Sequence, residues 1–116
     1  MAWYKVAIVQ EIPVRIQAVK AAGKKLCLVY NDNQYFATQL YCPHAGADFS
    51  NGWCAGGKLI CPYHRYMYDL QTGRGNEEQG DYIDTYEVKV DNGEIFVQII
   101  SWVERLKQLF SVKTED

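Results

Sequence analysis

Residues 42–64 read Cys42-Pro43-His44-Ala45-Gly46-Ala47-Asp48-Phe49-Ser50-Asn51-Gly52-Trp53-Cys54-Ala55-Gly56-Gly57-Lys58-Leu59-Ile60-Cys61-Pro62-Tyr63-His64. The stretch opens with C-x-H and closes with C-x-x-H, sixteen residues apart, and the chain has no other histidines. Two of its three prolines, Pro43 and Pro62, directly follow the two cysteines. Each segment offers one soft thiolate and one imidazole. Together Cys42, His44, Cys61 and His64 form a ligand set suited to a tetrahedral metal or an iron–sulfur centre.

A lone Cys is commonly a small buried hydrophobe, and a lone His an ordinary surface or core residue. The joint pattern argues otherwise. Structural zinc fingers usually take C-x2–4-C and then H-x3–5-H, so that each segment is chemically uniform. Here each segment is mixed. In a binuclear centre with unlike irons, one iron takes both cysteines and the other both histidines, so each loop contributes one ligand to each iron. A zinc-stabilised binding module stays open as the alternative from another class.

With C-x-H, sixteen residues and C-x-x-H all in place, the chain resembles the Rieske family. The resemblance is specific at the four ligand positions. It extends more loosely from about Trp3 to Ile100, through the strand pattern and the Thr72-Gly73 turn. It implies one [2Fe-2S] cluster per chain, with Cys42 and Cys61 on the inner iron and His44 and His64 on the outer iron near the surface. Two ferric ions, two sulfides and two thiolates sum to zero charge, so reduction produces only a monoanion. Clusters with two imidazole ligands accordingly span about −150 to +300 mV.

Departures from the family's high-potential branch point to the lower part of that range. Respiratory members carry an extra cysteine in each loop, and the two form a disulfide. Ala47 and Tyr63 stand at those positions, so that bridge cannot form. Those proteins also place a Ser five residues and a Tyr seven residues after the second ligand Cys. Tyr66 and Tyr68 stand there, which drops the Ser donor and leaves Tyr68 as one possible hydroxyl donor. Arg65, directly after His64, replaces a residue that is commonly small. Unlike the other departures, its charge works towards a higher potential by favouring the more negative reduced state, and it could also serve docking.

Length and composition describe one domain over residues 1–116, with the cluster-binding part at about 41–75. Apolar residues make up 48% of the chain, enough for a real core, and the net charge of −2 gives no reason to expect nucleic acid or an anionic membrane as partner. No apolar run approaches the roughly 20 residues that span a bilayer, and no signal peptide is visible at the start. A cytoplasmic location is therefore expected. Cys27, in the run Lys25–Tyr30, reads as a strand core residue. Cys54 is the reserve ligand should the cluster reading fail, and a Cys27–Cys54 disulfide is disfavoured in a reducing compartment.

The remaining chain reads as all-β, an antiparallel sandwich or small barrel with a subdomain of two cluster-binding loops. Strands are expected at Trp3–Val9, Val14–Val19, Lys25–Tyr30, Gln34–Gln39, Tyr86–Val90 and Glu94–Ile100, with Leu59-Ile60 and Tyr66–Leu70 flanking the second loop. Asn92-Gly93 is a strong hairpin signal. Seven of the nine glycines fall between Gly46 and Gly80, as suits backbone wrapped closely round a compact cofactor. Ser101 and Glu104 suggest a capping box, and Trp102, Val103, Leu106, Leu109 and Phe110 recur at helical spacing, so a short helix is expected over 101–111.

These features describe an electron-transfer protein rather than an enzyme. Both histidines are committed to the cluster, and the chain is too short for an added catalytic iron domain. The expected role is a Rieske-type ferredoxin carrying one electron at a time from a reductase to a terminal oxygenase or similar redox enzyme. Transfer would pass through the exposed edges of His44 and His64, with Pro43, Ala45, Gly46, Tyr63 and Arg65 as the docking rim and a monomer as the favoured state. The small subunit of an NADH-dependent nitrite reductase and a redox or cluster sensor are alternatives within the same chemistry.

Overall fold

Four two-residue turns organise the chain: Ala22-Gly23, Asp32-Asn33, Gly56-Gly57 and Asn92-Gly93 all hold φ between 52° and 78°. Positive φ at both central positions is the type I′ requirement, whose twist matches that of paired strands. Each pair therefore closes a tight antiparallel hairpin. The computed structural model describes residues 2–43, 46–63, 65–76 and 79–100. The expected helix over 101–111 lies outside the described residues.

Ten strands are described: β1 (Ala2–Ile8), β2 (Ile16–Ala21), β3 (Lys24–Asn31), β4 (Gln34–Gln39), β5 (Trp53–Ala55), β6 (Lys58–Ile60), β7 (Met67–Asp69), β8 (Thr85–Tyr86), β9 (Val88–Asp91) and β10 (Glu94–Ile99). They form three sheets, ordered β1-β10-β9, β2-β3-β4-β8 and β5-β6-β7. Every named pairing is antiparallel. The architecture is thus all-β with stacked sheets, and no barrel closes among the described residues.

Three strand expectations shift. The second strand begins at Ile16 rather than Val14, because Pro13 and the exposed segment after it are not in the ladder. The expected strand Tyr86–Val90 divides at Glu87: Tyr86 pairs with Ala37 in one sheet, whereas Val88 pairs with Val97 in another. The third sheet adds β5, whose strands of only three residues are too short to show a period of two.

Strand β3 is covered on both faces, with Leu26, Cys27, Leu28 and Val29 all buried. Alternation along the strand sends these side chains to two separate cores. Leu26 packs with Ala21, Ala37 and Val97, against Val6, Val19 and Val88. Cys27 and Val29 face the second core with Leu40, Cys42, Phe49, Leu59, Cys61, Tyr68 and Ile83. The sheets β1-β10-β9 and β2-β3-β4-β8 therefore share a core that contains neither Cys42 nor Cys61, while the bases of the two loops rest on the other. A fully buried Leu or Phe contributes about 1.5–3 kcal/mol by its transfer from water.

The turn after β7 is held by Asp69, whose Oδ1 accepts the backbone N–H groups of Gln71 at 2.8 Å and Thr72 at 3.0 Å. The Thr72 N–H chiefly, helped by Gln71, the Thr72 hydroxyl and Lys58, holds the Asp69 carboxyl below the ordinary carboxylate range against a smaller burial effect. The stability this adds is present above the unfolded pKa of about 3.9 and is lost as pH falls through the lower folded value. Asp69→Asn is accordingly expected to lower the urea midpoint at about pH 6, and the gap to the parent should close towards about pH 3. A gap independent of pH would count against the charge as its source.

Candidate metal centre

The two ligand loops are built alike. In the first, the backbone N–H of Cys42 donates to the carbonyl of Ala47 at 2.8 Å, five residues on. In the second, the N–H of Cys61 donates to the carbonyl of Tyr66, also five residues on and at 2.8 Å. The fourth residue after each cysteine is left-handed, Gly46 at φ 69° and Arg65 at φ 56°. Each loop therefore turns back at equivalent points, which explains why both carry their cysteine at the base. The first springs from the Tyr41–Asp48 bridge, and the second joins β6 to β7.

Gly46 takes this conformation freely. Arg65 carries a Cβ into it at a cost of about 1–2 kcal/mol. Arg65→Gly is therefore expected to stabilise the protein by about 1 kcal/mol, net of glycine's greater freedom when unfolded. An unchanged or lowered denaturation midpoint would show that the arginine makes compensating contacts.

At the loop bases Cys42 is 2% exposed and Cys61 fully buried. The two side chains are close enough to interact: burial first, then the neighbouring Cys42, pushes the Cys61 thiol up, while the backbone N–H of Tyr63 pulls it down. Two soft sulfurs side by side under apolar cover need a compensating cation before both can ionise. This donor chemistry fits the inner iron of a [2Fe-2S] centre. His44 and His64, predicted for the outer iron, lie outside the described residues. The exposed described residues around their positions are Pro43, Gly46, Pro62, Tyr63 and Arg65.

The other two cysteines belong to the same buried cluster, but their thiols face other neighbours. Cys27 is a core residue of β3, and its thiol is pushed up to about 12 by burial foremost and then by Asp48. Cys54, in β5, is directed to Asn31, with its Sγ 3.7 Å from Oδ1. Both are free thiols. Neither Ala47 nor Tyr63 can supply the inter-loop disulfide, as the sequence requires.

Under the loops, Phe49 meets Tyr68 edge-on, with ring centroids 5.7 Å apart at 82°. Phe49 is placed by a single 3-10 turn, Phe49–Asn51, capped by Asp48, whose Oδ1 accepts the N–H of Ser50 at 2.8 Å. The Tyr68 ring is fully buried. Its hydroxyl lies 3.6 Å from Cys42 Sγ and donates to Asp81 Oδ2 at 2.8 Å. Burial chiefly, with Asp81 and Cys42 adding to it, raises this hydroxyl well above the usual tyrosine range, so it remains protonated. Sequence reasoning found Tyr68 and missed Asp81, which lies thirteen residues further along with no motif around it.

Comparison with known proteins agrees with this geometry. The model of the Rieske [2Fe-2S] domain matches residues 2–87. The ferredoxin component of the naphthalene 1,2-dioxygenase/salicylate 5-hydroxylase systems of Ralstonia sp is 29% identical over 99 residues, covering 84% of this chain and 95% of that protein. The ferredoxin of carbazole 1,9a-dioxygenase from Nocardioides aromaticivorans IC177 superposes with a TM-score of 0.77 at 25% identity, over 86% of this chain and 100% of that one. A chain in the complex of reduced oxygenase and oxidised ferredoxin of carbazole 1,9a-dioxygenase superposes with a TM-score of 0.73 at 27% identity, over 85% of this chain and 97% of that one. The chain belongs to the Rieske [2Fe-2S] domain family.

Proposed function

We propose that this protein is a one-electron carrier, a Rieske-type ferredoxin that takes electrons from a reductase and delivers them to a terminal oxygenase. Its single [2Fe-2S] cluster is held by Cys42 and Cys61 on the inner iron and by His44 and His64 on the outer iron. The observation that carries this reading is the pair of matching loops, which bring two buried thiols together beneath exposed tips. When bound, the cluster supplies reversible one-electron chemistry.

The chain's own residues do the rest. Burial of both cysteines keeps water from the sulfurs, and closure of both loop bases limits rearrangement between redox states. The tips offer Pro43, Gly46, Tyr63 and Arg65 as a small rim, suited to the brief contacts of a carrier. With both histidines committed as ligands, the chain has no remaining imidazole for acid–base or nucleophilic work, so it carries electrons and transforms no substrate. Among the described residues no helix is long and apolar enough to cross a membrane. We place the protein in the cytoplasm, on the support of Cys27 and Cys54, which stay free thiols beside the two proposed ligand cysteines. The zinc alternative falls with the family assignment.

The test is a spectrum of the protein as isolated and after dithionite. A red-brown protein with acid-labile sulfide, whose reduced form gives a rhombic EPR signal of low average g, is expected. Its reduction by a reductase and reoxidation by a Rieske oxygenase completes the assay. A colourless, zinc-containing protein would overturn the reading, and a partner that stays bound through gel filtration would favour a fixed subunit over a shuttle.

A further inference from the structure

Tyr68 has one hydroxyl hydrogen and two neighbours that could receive it. Cys42 Sγ lies 3.6 Å away and Asp81 Oδ2 lies 2.8 Å away, and the hydroxyl donates its hydrogen bond to Asp81. The shorter contact has the ordinary length of an O–H···O bond, and bonds to an ionised acceptor are roughly twice as strong as neutral ones. What faces Cys42 is then the hydroxyl oxygen.

The carboxylate is held for this purpose from several sides. The backbone N–H of Met67 donates to Gln79 Oε1 at 2.9 Å, which fixes the amide so that Gln79 Nε2 points at Asp81 Oδ1, 3.1 Å away. Gly75 leaves the space they occupy, since a Cβ there would lie 2.6 Å from Asp81 Oδ1 and 2.7 Å from Gln79 Nε2. The Gly75 N–H also donates to the Asp81 carbonyl at 2.9 Å.

The geometry points to Asp81 as a positioning residue that withholds the Tyr68 proton from Cys42 and thereby lowers the potential of the centre. This inference rests on Cys42 being a ligand. A thiolate on iron gains negative charge on reduction, so a hydrogen bond given to it favours the reduced state. With the proton turned to Asp81 that bond is missing, and a carboxylate sits one hydroxyl away from the sulfur. Both effects favour the oxidised state. A tyrosine at this position is thus not in itself a sign of raised potential; the acceptor behind it decides.

The test uses the cluster-loaded protein and reads its midpoint potential at neutral pH, with the visible spectrum confirming the cluster in every sample. In Asp81→Asn, Gln79 Nε2 holds the asparagine oxygen, which leaves the asparagine NH2 facing Tyr68 and turns the Tyr68 hydrogen onto Cys42. The equilibrium should move at least tenfold towards the reduced form, about 59 mV for one electron. Tyr68→Phe should move it by less than about threefold, because no donor to sulfur is removed. In the Tyr68→Phe background, Asp81→Asn should have less than half its effect on the midpoint.

A tenfold fall on Tyr68→Phe would overturn the inference, since the proton would then already be on Cys42. This arm decides alone should Asp81→Asn fail to load. No shift in a loaded Asp81→Asn protein would also overturn it, as would equal shifts in the two backgrounds, which would leave charge as the whole effect. Parent protein without the cluster spectrum would overturn the ligand reading first and this inference with it.

Discussion

Cys61→Ser is expected to abolish the red-brown chromophore and the reduced-state EPR signal while leaving the far-ultraviolet β signature in place. The serine oxygen is a poor substitute for a thiolate on iron, so a cluster held as proposed would lose one of its two protein sulfurs. The hydroxyl would also sit fully buried where Cys61 now lies, at a cost of about 1–3 kcal/mol if unpaired. The sheets β1-β10-β9 and β2-β3-β4-β8 should survive because their shared core of Leu26, Ala21, Ala37 and Val97 contains neither Cys42 nor Cys61. Cys54→Ser is the matched control. Cys54 is also buried, but its thiol is directed to Asn31, so that variant should keep the chromophore. A coloured Cys61→Ser protein, or a colourless Cys54→Ser one, would remove Cys61 from the ligand set or admit Cys54 to it.

The parts of the molecule that could be read from sequence are those governed by neighbours along the chain. Asp32-Asn33 and Asn92-Gly93 announce their hairpins because few residue types accept positive φ twice in succession. Gly56-Gly57 carries the same signal, and closes the β5–β6 hairpin, yet it was absorbed into the glycine-rich stretch between the ligand loops. Pairing of β1 with β10 was out of reach, since Ala2 meets Ile99 across nearly the whole chain and no local pattern encodes that contact. The division at Glu87 was hidden for a related reason. Residues 85–91 alternate acceptably for one strand, and only the competing partners Ala37 and Val97 divide them between two sheets.

The meeting of the two loop cysteines was legible for a different reason, because two Cys-Pro segments at a fixed spacing, each with a histidine, are a rare pattern. The tuning of the centre was not. Tyr68 alone suggested a donor to sulfur, and in the structure its hydroxyl donates to Asp81 instead. That reversal depends on a segment folding back, which spacing cannot reveal.

Gly73→Ala should show how strongly that fold-back is held, with a loss of about 3–4 kcal/mol from summed backbone strain and overpacking. Gly73 sits at φ 81°, and a Cβ there would lie 2.2 Å from the Ile83 carbonyl oxygen. The obstacle is backbone, and it cannot rotate away. The Gly73 carbonyl accepts the Ile83 N–H at 2.7 Å, and the Gly73 N–H donates to the Asp69 carbonyl at 2.8 Å, so the glycine joins the end of β7 to the returning strip 81–83. Gly93→Ala separates the two contributions, because Gly93 has φ 78° with nothing near its absent Cβ. That control should cost only about 1–2 kcal/mol, the left-handed penalty alone. Urea midpoints of the two variants give the difference directly, and equal losses would refute the close approach. Because Asp81 lies on the strip that Gly73 admits, pushing Ile83 outward also draws the carboxylate from Tyr68. Any Gly73→Ala protein that still loads its cluster should therefore move in potential in the same direction as Asp81→Asn.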